Sequence, residues 1–478
     1  MNSAVLKASL EPAWEMTIGG QAVAGSRYIP VFDPVTGVAF TEAPDATVAE
    51  TDSAIEAAAA AFPAWSALSW DARAEKVRAL GAAIREENSN LARLLCREQG
   101  KPLEKAVSEI GAGLVYLEAF CGMRLEPQIL KETEKQRIEQ HHRPLGVVGA
   151  ITAWNYPLLL AIWKIAPALI AGNTVVVKPA PSTPLATLAL GRIAARVLPP
   201  GVVNVISGGT DSGERLTQHE KVRKITFTGS TETGKRIMAN ASPSLKRLTL
   251  ELGGNDAGIV LEDADPKAIA ADIFWAKFSN CGQVCAALKR LYVHRSIAAP
   301  LCDALAEVAG AVKIGPGLTT GVQIGPMQNR AQRDRMAQTV AESVAAGARI
   351  IYQSEVPQGD GYFFPITLLA DAPEDSPVIR SETFGPVLAI LPFDDVEDAI
   401  ARANDTEYGL GGSVWSPDIA RATAIAERLE AGSTWVNQHP SMDPQVPFGG
   451  IKSSGLGVEG GLRGLEEFTT IQIVNVKK

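Results

Sequence analysis

Two successive runs of alternating strands and helices, within a chain of 478 residues that is 46% hydrophobic, predict an α/β protein with more than one sheet. From Val147 onward, GVVGAITA, NTVVVKP, VVNVISG and KITFTG are short, rich in β-branched residues and separated by helix-length segments. Near-continuous apolar strands of this kind belong to a parallel sheet buried on both faces, so the first run reads as a doubly wound, Rossmann-like nucleotide domain. The second run begins after about Gly254 and continues to about residue 450.

Before these runs, a short N-terminal β segment gives way to helices over the first ~120 residues. Thr47-Val48-Ala49-Glu50 has the form of a capping box, and the alanine-rich stretch after it is expected to end near Phe62, before Pro63. A second helix is expected from about Asp71 to Glu98 with Gly100 as its cap, and a third from about Pro102 to Phe120. The segment Pro157–Val177 is the most membrane-like. Lys164, Pro167, Gly172 and Asn173 interrupt it, and it reads as a buried helix, a turn and a buried strand. At the other end, TTIQIVNVKK alternates like an exposed strand, which needs a pairing partner, such as another subunit.

Lys plus Arg total 45 against 53 for Asp plus Glu, a net charge of −8 that argues against nucleic acid or an anionic membrane as partner. The five cysteines are irregularly spaced and fit a reducing cytoplasm better than a disulfide framework. The opening MNSAVLKASLEPAWEMTIGG has no unbroken apolar core, so no secretory signal is expected.

The strongest local signal is Asn280-Cys281-Gly282-Gln283-Val284-Cys285-Ala286. A reactive cysteine needs a lowered pKa or a nearby base. Taken alone, Cys285 reads as a buried core thiol, and the Cys281/Cys285 spacing without a second Cys or His pair does not make a metal site. Three other segments change that reading: Glu251 in Leu250-Glu251-Leu252-Gly253-Gly254, Trp154-Asn155-Tyr156-Pro157 at the end of a strand, and Ser381-Glu382-Thr383-Phe384-Gly385-Pro386. Singly they read as a salt-bridging Glu, a turn Asn and a packing cluster.

Together, in the order AWNYP, VVVKP, FTGSTETG, LELGG, NCGQVC, SETFGP and PFGGIKSSG, they resemble the aldehyde dehydrogenase superfamily over nearly the whole chain. The resemblance implies an NAD- or NADP-dependent oxidation of an aldehyde to a carboxylic acid, without acylation of coenzyme A. Cys285 would be the nucleophile, Asn155 the oxyanion donor and Glu251 the general base. It also implies an NAD(P)-binding domain made of residues 1–121 and 145–253, and a catalytic domain of residues 254–453. Residues 122–144 and 454–478 would then form a small β oligomerisation element, in a homodimer or homotetramer.

For the cofactor, no G-x-G-x-x-G follows the first strand of the nucleotide run. Gly229-Ser230-Thr231-Glu232-Thr233-Gly234 has another spacing, and its hydroxyl and N–H groups at an expected helix start suit a pyrophosphate. Gly209 and Gly213 match a turn near the adenine end, and Trp154 and Leu252 match further cofactor contacts. Glu382 matches the ligand of the nicotinamide ribose, and Phe384 the residue packed near the nicotinamide. Lys178 matches the ligand of the adenosine ribose. The chain departs from the NAD-preferring pattern at Pro181, where those relatives carry Glu, yet the segment adds no Arg or Lys for a 2′-phosphate. NAD is the first expectation and NADP the second.

A cysteine thioesterase or hydrolase is the competing class, but it would not need the nucleotide domain, and none of the five histidines falls in a Cys–His dyad pattern. A non-catalytic scaffold is disfavoured by the intact Cys285, Glu251 and Asn155. Tyr156, Leu160, Trp163 and the loop 438–446 match the family's substrate channel. Their apolar and aromatic character points to a medium-size aliphatic or aromatic aldehyde, with a semialdehyde second; His439 is a candidate to meet a polar tail, but reads first as a loop histidine with no ligand role.

Overall fold

Five parallel strands form the centre of the first sheet, in the order Arg247–Glu251, Val222–Thr228, Val147–Ile151, Thr174–Lys178, Val203–Val205. The molecule is described here as a computed structural model over residues 14–478. The first 13 residues, and with them most of the stretch read as lacking a secretory signal, lie outside the described residues. The chain starts the five at Val147–Ile151, winds outward on one side, then returns to continue on the other. That reversal opens a crevice at the carboxyl ends of Val147–Ile151 and Val222–Thr228. Gly455–Leu456 pairs antiparallel at one edge, and Glu15–Ile18 with Gln21–Ala24 extends the other.

The second sheet runs Arg349–Gln353, Thr367–Ala370, Val387–Phe393, Leu288–His294, Asp256–Val260, Gly411–Trp415, Ser433–Val436. All its neighbours are parallel except the first pair. Its central strands are buried on both faces, and they enclose the polar Asp256, Lys289, Arg290 and Ser413 as well as apolar side chains. The third sheet is antiparallel: Thr469–Lys477 pairs with Gln136–Pro144, which pairs with Gln128–Glu132. The C-terminal strand therefore finds its partner within the chain. This is the α/β architecture expected, with two large mixed sheets and a small antiparallel one.

The helical expectations need three corrections. Tyr28–Asp33 and Val38–Pro44 form a further hairpin, so the N-terminal β segment is longer than its sequence implied. The first helix, Val48–Ser66, has the Thr47/Glu50 capping box but passes through Pro63. Proline there forfeits one bond in the last turn, and the added turn buries Trp65, whose indole donates to the Leu169 carbonyl at 3.1 Å. The expected second helix is two, Trp70–Glu86 and Asn88–Gln99, broken at Glu87 (φ −93°, ψ 7°) without a Pro or Gly to announce it. Gly100 caps the second at φ 94°, and the third helix runs Leu103–Cys121.

The membrane-like stretch is the buried helix Pro157–Ile170, a turn with Gly172 at φ 96°, and the strand Thr174–Lys178. Among the described residues no helix is long and apolar enough to cross a membrane.

Two buried carboxylates join helices to one another beside the first sheet. Glu98 accepts from the backbone N–H groups of Leu185 and Ala186 at 2.6 and 3.0 Å, and burial raises its pKa to about 8. Glu109 accepts from Leu158 and Leu159 at 3.0 and 3.2 Å, at the start of the helix that follows Asn155, while its other oxygen pairs with buried Lys101. Each satisfies N–H groups that no intrahelical carbonyl can reach.

Candidate active site

Strand register aligns the site before any side chain is considered. Ile151 pairs with Lys178 and with Phe227, and Thr228 pairs with Glu251, so the carboxyl ends of four strands share one rim. Trp154 and Asn155 follow the first of these strands, Gly229 and Ser230 follow the third, and Leu252 follows the fourth. Ser230 caps the helix Thr231–Ala241, its hydroxyl accepting from Thr233 N–H at 3.3 Å. The second sheet faces this rim with the loop that carries Cys285 into the strand Leu288–His294.

That loop has an unusual backbone. Asn280 (φ 51°), Cys281 (φ 59°) and Gly282 (φ 72°) are successive left-handed residues, which costs energy at the two with side chains and holds only because the surroundings fix it. Gln283 provides part of that restraint. Its amide donates to the Asn280 carbonyl at 3.0 Å, and its oxygen accepts from Gln328 N–H at 2.9 Å.

Cys285, Asn155 and Glu251 line one cavity of about 130 Å³, together with Leu252, Glu382 and Phe384. The Asn155 side chain donates to the Gln283 carbonyl at 3.0 Å, and its own backbone carbonyl accepts from Lys101 at 2.9 Å and from Asn280 at 3.0 Å. Asn155 is therefore tied to the nucleophile loop on one side and to the Lys101–Glu109 pair on the other.

Glu251 is 3% exposed, and its Oε1 has no hydrogen-bond partner. Burial, reinforced by Glu459, raises its pKa to about 8, against the lowering influence of Cys285 and Lys164. Lys164 itself bonds Glu459 at 2.5 Å and Thr228 at 2.7 Å. Burial pushes the Cys285 thiol well above its ordinary value, and Glu251 pushes it further, while Lys289 pulls it down. Cys281 is fully enclosed and its thiol is held up at about 12 by burial.

A longer groove of about 460 Å³ continues from this cavity past Trp154, Gly229 and Ser230 to Lys178, Gly209 and Gly213. The twelve residues assigned from the sequence to catalysis or cofactor contact thus border two adjoining spaces. The Lys178 ammonium is buried, with one long bond to the Pro179 carbonyl at 3.4 Å, and burial lowers its pKa to about 8. An under-partnered cation and a capped helix start, with room for an extended ligand between them, fit a dinucleotide. Trp154 and Phe384 meet edge to face at 5.2 Å, and Glu382 accepts from Gly254 N–H at 3.1 Å. A side chain at Gly253 would stand 2.7 Å from Glu382, so the glycine makes space for that carboxylate.

Several lining residues went unread in the sequence, among them four with side chains able to hydrogen-bond a ligand. Gln332 and Arg335 reach the smaller cavity from the helix Arg330–Ala345, and Arg236 and Asn240 line the groove that Pro181 also lines. Their local sequences read as solvated helix faces and carried no signal.

Among the aromatic residues matched to the substrate channel, Trp163 packs on Tyr116 at 4.8 Å and stacks with Phe448 at 6.2 Å. The buried Trp163 Nε1 has no partner. Asp443 and Glu459 act on the Tyr116 hydroxyl, which burial chiefly holds at about 12. His439 does not face a substrate tail. Its side chain is wholly buried and its Nε2 donates to the Ala286 carbonyl at 3.0 Å.

Comparison with known proteins finds relatives over nearly the whole chain. The description "Aldehyde dehydrogenase family" matches residues 22–474. The chain is 39% identical to phenylacetaldehyde dehydrogenase of Pseudomonas fluorescens, over 95% of this chain and 94% of that one. A crystal structure of an Escherichia coli NADP-dependent enzyme superposes with a TM-score of 0.95 at 36% identity, covering 98% of each chain. Betaine aldehyde dehydrogenase from Staphylococcus aureus, in complex with NAD+, superposes at 0.93 with 32% identity, covering 98% of this chain and 95% of that one.

Proposed function

The chain belongs to the aldehyde dehydrogenase family, and on that premise we propose that it oxidises an uncharged aliphatic or arylalkyl aldehyde to its acid through Cys285. The observation that carries this reading is the meeting of Cys285, Asn155 and Glu251 in one cavity that opens into a dinucleotide-sized groove. The activity uses NAD or NADP.

The Cys285 thiolate attacks the aldehyde carbon and forms a thiohemiacetal. One Asn155 amide proton is engaged by Gln283, so the other, with the Cys285 backbone N–H, receives the developing oxyanion. The nicotinamide, when bound, supplies the hydride acceptor. Trp154, Phe384 and Glu382 border its side of the cavity, and Lys178, Ser230, Gly209 and Gly213 border the rest of the cofactor. Glu251, once ionised, takes a proton from water, which hydrolyses the thioester and frees Cys285.

The aromatic packing of Tyr116, Trp163 and Phe448 supports an apolar substrate tail, and the Asp443 carboxylate beside Tyr116 disfavours the second carboxylate of a semialdehyde. At the cofactor, Pro181 repels no 2′-phosphate and Arg236 shares the groove. We read NAD as preferred and NADP as accepted. The first sheet serves the dinucleotide, the second the nucleophile. The third, which exposes Ile471, Ile473 and Val476, joins a partner subunit.

Initial rates at 340 nm with phenylacetaldehyde, hexanal and succinate semialdehyde, each with NAD and NADP, test the reading. Phenylacetaldehyde or hexanal is expected to exceed the semialdehyde in kcat/KM. Cys285→Ala is expected to abolish turnover, and Cys281→Ala, which removes an inert buried thiol, to retain most of it. Equal loss in both variants, or no reduced cofactor with any aldehyde, refutes the assignment.

A further inference from the structure

Behind the nucleophile loop lies a group of buried charges that the mechanism above does not use. Lys289 is fully buried and donates to the carbonyls of Val284, at 3.2 Å, and of Cys285 itself. Its ammonium is 3.8 Å from Glu382 Oε1. His439 holds the next carbonyl, that of Ala286, at 3.0 Å. Three successive carbonyls around the nucleophile are therefore fixed from the rear by side-chain donors.

Asp256 completes the group. Its side chain is fully buried, its oxygens have no hydrogen-bonding side chain, and Oδ2 is 3.6 Å from His439 Nε2. Space for it is made by glycine: a side chain at Gly254 would lie 2.8 Å from Asp256 Oδ1 and 2.7 Å from the Cys285 carbonyl. The Ala286 carbonyl only accepts, so His439 carries its proton on Nε2, and burial keeps the ring neutral, with a pKa near 3. The charge that answers Asp256 is then Lys289, with Arg290 beyond it. An uncompensated carboxylate at such a site is costly, which explains why the lysine is present where a small polar side chain would pack.

We propose that Lys289, placed between Asp256 and Glu382, is a positioning residue that fixes the Cys285 backbone and presents positive charge to its sulfur. This rests on Cys285 being the nucleophile. Glu251 and burial oppose the thiolate, and Asp256 opposes it more weakly, so Lys289 is the counterweight in a site otherwise hostile to negative sulfur. Lys277 also faces Lys289, and its own ammonium is engaged by the Thr383 carbonyl at 3.0 Å.

The test is the pH dependence of iodoacetamide alkylation of the cofactor-free enzyme, with the labelled thiol identified by peptide mass spectrometry. Lys289→Met is expected to raise the midpoint of Cys285 alkylation by about one pH unit and to lower kcat about tenfold near neutrality, with the deficit narrowing as pH rises. Lys289→Arg is expected to keep the midpoint. Asp256→Asn, which removes an opposing charge, is expected to lower it. Because that shift has the opposite sign, general loosening of the fold does not mimic it. Should Lys289→Met not fold, the Asp256→Asn shift decides. An unmoved midpoint in whichever of the two variants folds overturns the proposal and leaves Lys289 as packing. Alkylation and activity that persist in Cys285→Ala refute the nucleophile assignment instead, independently of Lys289.

Discussion

The Asn155 amide donates to the Gln283 carbonyl at 3.0 Å, so the group that would bind the substrate oxygen is held by the loop that carries the nucleophile. Asn155→Ala removes one oxyanion donor and is expected to lower kcat/KM by about 10²–10³, with cofactor affinity nearly unchanged. Asn155→Asp is expected to be worse, since it turns an acceptor against the Gln283 carbonyl and distorts the loop. Steady-state kinetics of both variants, with cofactor binding followed by fluorescence, check this. Equal activity of the two sinks the geometric reading.

Glu251 is held at about 8, so its ionised fraction rises through neutral pH, and base-assisted hydrolysis is expected to accelerate with a midpoint near 8. Glu251→Gln is expected to release a burst of reduced cofactor near one per site and then turn over slowly, without that midpoint. Stopped-flow traces across pH 6–9 separate the two phases. A missing burst would move Glu251 to thiol activation.

Lys101 and Glu109 form a buried pair that bonds both the Asn155 carbonyl and the helix after it. Glu109→Gln keeps the acceptor for the helix but leaves Lys101 uncompensated. It is expected to cost about 3 kcal/mol by denaturant unfolding and to reduce kcat through Asn155. A stability near wild type would show that the lysine goes neutral without penalty.

Pro181 and Arg236 both line the longer groove. Pro181→Glu is expected to shift the kcat/KM ratio toward NAD by about tenfold, through ribose bonds gained and phosphate repelled. Arg236→Ala is expected to raise the KM for NADP more than that for NAD. Pro181→Ala controls for the loosened turn. If Pro181→Glu matches this control with both cofactors, residue 181 does not face the 2′ group.

The rhythm of apolar strands showed both large sheets in the sequence, and their carboxyl ends showed where Asn155, Ser230 and Glu251 would gather. Contacts between charges far apart in the chain were not legible. Lys101, Glu109 and Glu459 look like ordinary surface charges in one dimension, and Lys164, though in a segment read as buried, shows no partner there; only the fold pairs Lys101 with Glu109 and Lys164 with Glu459. Glu87 breaks a helix without a breaking residue, because burial of two separate faces outweighs local propensity. Gln332 and Arg335 come from a helix whose sequence reads as solvated, so no local pattern placed them near the nucleophile.

The buried carboxyls also make folding a proton-uptake reaction. Glu98 and Glu251 titrate at about 8 and Asp256 at about 7, all above their unfolded values. Their contribution is full below the unfolded carboxyl range and is lost as pH rises through 7 to 8. His439, depressed to about 3, opposes this only below its unfolded value near 6.5. Lys178 and Lys224, depressed to about 8, act in the other direction between 8 and 10.5, where the unfolded chain binds more protons. These groups are expected to place a minimum near pH 8 in their share of the stability curve, checked by unfolding midpoints and calorimetric proton counts. Within the share of stability these groups supply, the ionisation of Glu251 that turnover needs works against the fold, so long-term survival and rapid turnover favour different acidities.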